Sequence, residues 1–254
     1  MWNWILFSII AVCSYFFGNV NFAIIISKIK KSDIRKLGSG NPGTLNMSRN
    51  FGLLTGILTL FLDAIKGAIP CLVGFFVFKN AYVDGTSFLL ADLAKYFFGL
   101  CVVLGHIFPV FYKFKGGKGI ASTIGVLLAC SCTEGVAWAF IAIMAIVAAI
   151  IFIYVTEFGA MGSFIAITPP AVANSIRMFM SYYQFSTSST EFILYVITVL
   201  VLLLICFFTW FAHRKNIERM LSGEEHATSI KEMIVRFKNN CQTRKKAKNN
   251  QLND

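Results

Sequence analysis

Charge is scarce in this 254-residue chain. Only 14% of it is Asp, Glu, Lys or Arg, while 57% is hydrophobic and the mean hydropathy is +0.69. That composition excludes a soluble domain of this length and requires a polytopic membrane protein. Acidic residues are scarcest, 12 against 23 basic ones, for a net charge of +11. No cluster with metal-ligand spacing appears, so neither metal nor cofactor is expected. Cys13, Cys71, Cys101, Cys130, Cys132 and Cys206 fall within apolar runs, and Cys130-Ser131-Cys132 lacks the spacing of a zinc site. These thiols read as small apolar residues that stay reduced. A basic segment ahead of the first apolar run is also missing, as is a small-residue cleavage site. That run is therefore expected to be retained as a span.

Seven apolar runs are present, at 4–26, 51–77, 88–111, 120–132, 135–154, 160–180 and 192–212. Most are near the roughly 20 residues that a bilayer requires. They predict an all-α polytopic membrane protein of about seven transmembrane helices. The fourth run is short enough for a re-entrant or buried segment, which leaves five as the competing count. Basic residues orient these spans. Six lie after the first run (Lys28, Lys30, Lys31, Arg35, Lys36, Arg49), three after the third (Lys113, Lys115, Lys118) and ten after the last, making nineteen of the 23. The positive-inside rule puts those segments and the C-terminus in the cytoplasm and the N-terminus outside. The opposite loops carry little charge. Because the basic residues flank spans, they predict membrane lipids as partners and no nucleic acid. Residues 1–225 are expected to form the membrane domain. Residues 226–254 are expected to be a basic cytoplasmic tail, largely disordered, with one weak amphipathic turn at Met233, Ile234 and Phe237.

Polar groups at span ends carry the chemistry. Gly105 to Gly119 contains His106 and the loop Lys115-Gly116-Gly117-Lys118-Gly119, set between two apolar runs. Glycines admit close backbone approach, lysines supply charge, and a helix starting after Gly119 would point N–H groups back at the loop. Gly38-Ser39-Gly40-Asn41-Pro42-Gly43-Thr44-Leu45-Asn46 has the same character. Together they suggest phosphate handling beside the bilayer. Asp63 and Lys66, three apart on one helix face, read as a buried packing pair. Asp92 and Lys95 repeat that spacing near a span end, where snorkelling to the interface is expected. On a helix continuing past the last span, His213, Asn216 and Met220 would share a face. A transporter of a phosphate-bearing solute would also place glycine-rich loops and intramembrane charge near its site, but no inverted repeat is found.

These motifs resemble the bacterial acyl-phosphate:glycerol-3-phosphate acyltransferase family. Gly38 to Asn46 with Arg49 and Gly52 are similar to its first motif, followed by Asp63, Lys66 and Gly67; Gly105 to Gly119 are similar to the second; His213, Asn216, Ile217, Arg219, Gly223 and Glu225 are similar to the third. The resemblance implies transfer of a fatty acyl group from acyl phosphate to the 1-hydroxyl of glycerol 3-phosphate. The site would face the cytoplasm at the bacterial plasma membrane. It implies that Ser39, Arg49, His213 and Asn216 are catalytic. Gly40, Asn41, Thr44, Asn46, His106, Lys115, Gly116, Gly117, Lys118, Gly119 and Ser163 would bind substrate phosphate. Asp63, Lys66 and Glu225 would be structural. Leu45 departs from the family pattern where a Thr belongs, and so do Glu157 and Ala160, where a basic residue and a Ser belong. Because acyl phosphate is already activated, alignment and charge neutralisation suffice and no covalent intermediate is demanded. Either His213 or a substrate phosphate could take the hydroxyl proton.

Overall fold

The computed structural model describes residues 2–185, 188–224, 228–239 and 242. Hydrocarbon offers the backbone no hydrogen-bond partners, so a chain this apolar satisfies its peptide groups within helices. The first apolar run does so in two pieces, α1 (Trp2–Gly18) and α2 (Phe22–Ile29). The run is expected to be one span, and two asparagines divide its helix without ending the apolar stretch. Asn19 donates its side-chain amide back to the Tyr15 carbonyl (2.7 Å), and the Asn21 side chain accepts the Ile24 N–H (3.0 Å), capping α2. A short 3₁₀ turn, Ile34–Lys36, leads to α3 (Thr44–Phe51) and then α4 (Leu53–Phe78). There follow α5 (Leu90–Ile107), α6 (Ile120–Glu134), α7 (Val136–Thr156), α8 (Gly159–Phe185), α9 (Ser189–Ala212) and α10 (Arg214–Leu221). Residues 230–239, which include Met233, Ile234 and Phe237, are helical as well.

Among the described residues five stretches are long and apolar enough to cross a membrane: Trp2–Ile29, Leu53–Phe78, Leu90–Tyr112, Val136–Thr156 and Ser189–Ala212. The central one is α5, which buries Ala91, Ala94, Tyr96, Phe98, Val102 and Val103 among α1, α4 and α9. By contrast, α7 exposes Phe140, Ile143, Ile150 and Val155 and is suited to face lipid. With 15 residues, α6 rises only about 22 Å, short of a hydrocarbon core of roughly 30 Å. It packs against α4, α7 and α8 within the bundle. Its close approach to α4 depends on two glycines: a methyl on Gly67 would lie 2.0 Å from the Ser122 carbonyl oxygen, and one on Gly125 would lie 1.9 Å from that of Ala64.

At one end of the bundle sits a charge cluster. Lys95 is 1% exposed and is bonded to Asp92 (2.8 Å) and Glu134, while Arg177 reaches Glu134 at 3.0 Å. This corrects the expectation of snorkelling. Lys95 lies on the buried face of α5, where paired carboxylates rather than the interface receive the ammonium. Beside it Tyr96 donates to Asn174, which donates in turn to Ser131. These contacts tie α5, α6 and α8 at the end opposite the glycine-rich loops.

Candidate active site

At the other end three chain segments converge. The first is the loop before α3, built around one side chain. Asn46, 2% exposed, donates to the carbonyls of Leu37 (2.9 Å) and Asn41 (3.1 Å) and accepts from the Ser39 N–H (3.2 Å) and the Asn50 amide (3.0 Å). Its hydrogen-bonding capacity is spent on the loop itself, which leaves Ser39 exposed and Gly40 and Asn41 half-buried at the rim. Asp33 braces the approach through Arg35 (2.7 Å), whose guanidinium lies over the Tyr112 ring. Thr44 opens α3 and is half-buried. Leu45, at the position where the family pattern has Thr, turns toward the start of α8, and Arg49 is exposed and donates to Thr228 (3.0 Å).

The second segment is the loop between α5 and α6. Here Gly116 and Gly117 donate their N–H groups to the carbonyls of Ile107 and His106 (3.2 Å each). Those donors complete the end of α5, whose last carbonyls would otherwise be orphaned. These two amides are therefore already partnered within the turn. His106 is 4% exposed, and its Nδ1 lies 2.9 Å from Lys66 Nζ. An ammonium only donates, so Nδ1 accepts and Nε2 carries the proton. Nε2 lies against Gly117: a methyl there would come within 2.3 Å of it and within 3.1 Å of the Pro42 carbonyl oxygen. Gly117 is thus where the first and second loops meet.

Lys66 does more than pair with Asp63, which lies 3.0 Å away. It also donates to the carbonyls of Val20 (2.7 Å) and Gly18 (3.4 Å), at the break between α1 and α2. A buried cation thereby satisfies backbone freed by the interrupted span, and one side chain joins α1, α4 and α5 behind the second loop.

The third segment is the junction of α9 and α10. The helix does not continue through it as expected. His213 terminates α9 and precedes α10, with the N–H groups of both Asn216 and Ile217 donating to its carbonyl. His213 is 4% exposed, and its Nδ1–H donates to the Thr209 carbonyl (2.9 Å), leaving Nε2 as a lone-pair acceptor. Burial pushes its pKa down to about 4, so the ring is neutral at physiological pH. Phe164 of α8 packs edge-on against it. Lys118 donates to Asn216 Oδ1, which fixes the second loop to α10, and Thr123 and Thr209 bond at 2.8 Å, which fixes α6 to α9.

Between these segments lies a cavity of about 220 Å³, bounded by Asn41, Phe108, Lys115, Gly117, Lys118 and Arg214, among others. Three cations ring a space whose inner wall includes Ile107 and Phe108. Such a site can hold an anionic phosphoryl group with an apolar chain leading away. Sequence reasoning did not name Arg214, Phe108 and Phe114 as site residues, although Phe108 and Phe114 lie within the second motif and Arg214 adjoins His213. Ser163 does not join them, since its hydroxyl donates to Gly159 within α8 (2.9 Å). Glu225 lies outside the described residues. Among the described residues no three His, Cys, Asp or Glu side chains are grouped as metal ligands.

Residues 8–223 match the glycerol-3-phosphate acyltransferase family. The chain belongs to that family. It is 36% identical over 216 residues to the glycerol-3-phosphate acyltransferase of Mycoplasmopsis pulmonis, covering 84% of this chain and 88% of the relative. The fold is similar to crystal structures of PlsY, an integral membrane glycerol 3-phosphate acyltransferase. Its glycerol 3-phosphate form aligns with a TM-score of 0.67 at 29% identity, and its lysophosphatidic acid form with 0.66 at 28%; each alignment covers 90% of this chain and 98% of the other. The match includes all three convergent segments of this acyltransferase-family chain.

Proposed function

We propose that the protein transfers a fatty acyl group from acyl phosphate to the 1-hydroxyl of glycerol 3-phosphate, giving lysophosphatidic acid and inorganic phosphate. The observation that carries this reading is the meeting of three motif segments at one cation-rimmed cavity, lined by Ala212 and Arg214, the chain neighbours of a neutral His213. Its family supplies the acyltransferase chemistry, and the related structures are named for the acceptor and the product of this reaction.

The residues divide the work as follows. Lys115, Lys118 and Arg214 neutralise phosphate at the cavity rim, and Phe108 and Phe114 offer the start of an apolar path for the acyl chain. Exposed Ser39 of the first loop and Arg49 of α3 add to the anion-binding face. Neutral His213 offers Nε2 as a hydrogen-bond acceptor that orients the glycerol hydroxyl toward the acyl carbonyl. A group with a pKa of about 4 is a weak base at neutral pH. The hydroxyl proton accordingly passes to the departing phosphate as the new ester C–O bond forms and the C–O bond of the anhydride breaks. Asn216 holds Lys118 in place.

We further propose that all seven long helices span the plasma membrane, the shorter α6 included, with the N-terminus outside and the loop cavity in the cytoplasm. Purified protein given acyl phosphate and glycerol 3-phosphate should release lysophosphatidic acid and phosphate one to one. Acyl-CoA in place of acyl phosphate should yield none. Product from acyl-CoA, or solute uptake without product, would overturn the reading.

A further inference from the structure

The family match ends at residue 223, yet the chain beyond it returns to the site. Thr228 is 2% exposed. Its N–H donates to the Glu157 carbonyl (2.8 Å), at a turn where Glu157 itself has φ +62. Its hydroxyl oxygen accepts from the Arg49 guanidinium at 3.0 Å. The same hydroxyl fits against Gly159: a Cβ added there would lie 2.8 Å from it and 3.2 Å from Leu45 Cδ1. Farther along, the Lys231 ammonium sits 5.1 Å from the centre of the Tyr154 ring, at the end of α7. A segment outside the three motifs is thereby anchored to the α7–α8 turn and presents a fixed hydroxyl to a long, exposed cation on α3.

We propose that Thr228 is a positioning residue for Arg49, holding its guanidinium where a substrate phosphate is bound. This rests on the assignment of Arg49 to the site. An unrestrained arginine samples many rotamers and loses that freedom when it grips an anion; a hydrogen bond formed beforehand lowers the cost. Burial of Thr228 makes the anchor rigid, and the backbone bond to Glu157 makes it independent of the hydroxyl. Removing the hydroxyl should therefore affect substrate binding more than folding.

The test compares Thr228→Val, which keeps the shape, with Thr228→Ser, which keeps the hydroxyl, in full-length enzyme and in an Arg49→Lys background. Thr228→Val should lower kcat/KM by about tenfold, mainly through the KM of a phosphate-bearing substrate, with the melting temperature unchanged. Thr228→Ser should stay near native. In the Arg49→Lys background Thr228→Val should add nothing, because its hydroxyl acts through the guanidinium. Native kinetics in Thr228→Val alongside a damaged Arg49→Lys would overturn the proposal, as would a loss that persists in full in the Arg49→Lys background. Native kinetics in Arg49→Lys would remove Arg49 from the site, and the proposal with it.

Discussion

Replacing Gly117 with alanine tests the junction of the first two loops. The added methyl would stand 2.3 Å from His106 Nε2, more than an ångström short of ordinary contact, and 3.1 Å from the Pro42 carbonyl oxygen. The ring cannot simply swing aside, because Lys66 holds its Nδ1 at 2.9 Å and is itself tied to Asp63 and Val20. Relief must come from separating the two loops that bound the cavity. Overpacking of this kind costs about 1–3 kcal/mol. Taken up by the loops in binding acyl phosphate, it should raise KM about fivefold to 150-fold while kcat changes less. The assay is steady-state phosphate release by purified enzyme over a range of acyl phosphate concentrations. A double-mutant cycle identifies the cause: in a His106→Ala background the methyl meets no ring, and Gly117→Ala should add less than threefold, roughly the additivity error of such cycles. An unchanged KM in Gly117→Ala, or full additivity with His106→Ala, would refute the steric argument.

Other outcomes follow from the same contacts. Because the His213 pKa is depressed from 6.5 to about 4, the unfolded chain binds more protons between those values. Stability should accordingly be pH-independent above 6.5 with respect to this group and fall toward pH 4; a melting-temperature difference between native enzyme and His213→Asn that stays constant over that window would contradict the burial argument. His213→Ala and Asn216→Ala should each lose most turnover with near-native melting, while Arg236→Ala, on an exposed pair with Glu232, should keep it; full activity in His213→Ala measured at several pH values would exclude this histidine from the site. Lys66→Met strands Asp63 and two carbonyls and should destabilise by about 3–5 kcal/mol, with Asp63→Asn partly rescuing it; the fraction surviving heating in detergent measures this, and a fully stable Lys66→Met would refute it. Cysteine labels near Lys31 and Lys115 should react from the cytoplasm and one near Asp84 from outside, and labelling of the Lys115 site from outside in sealed cells would reverse the orientation.

Much of the architecture is legible in the sequence because hydropathy is a local property. Each apolar run must hydrogen-bond its own backbone, so the runs become helices and the glycine-lysine segments between them become loops at their ends. The extent of the first helix was not legible, since Asn19 and Asn21 look like ordinary polar residues until their caps are seen to free carbonyls for Lys66. Nor was the position of Lys95 relative to the interface, which depends on which face of α5 is enclosed by its neighbours.

At the site the division is similar. Composition by itself determined that this is an all-helical membrane protein, and the resemblance of three motifs in order pointed to an acyltransferase family. Tertiary structure alone decided which polar groups meet. Lys66 and His106 are 40 residues apart, Lys118 and Asn216 are 98 apart, and Arg49 and Thr228 are 179 apart. It also decided that the Gly116 and Gly117 amides close α5 while the lysines face the cavity. Periodicity records which face of a helix is apolar, but a hydrogen bond between distant segments depends on how helices are set against one another, and that follows from the packing of many side chains at once.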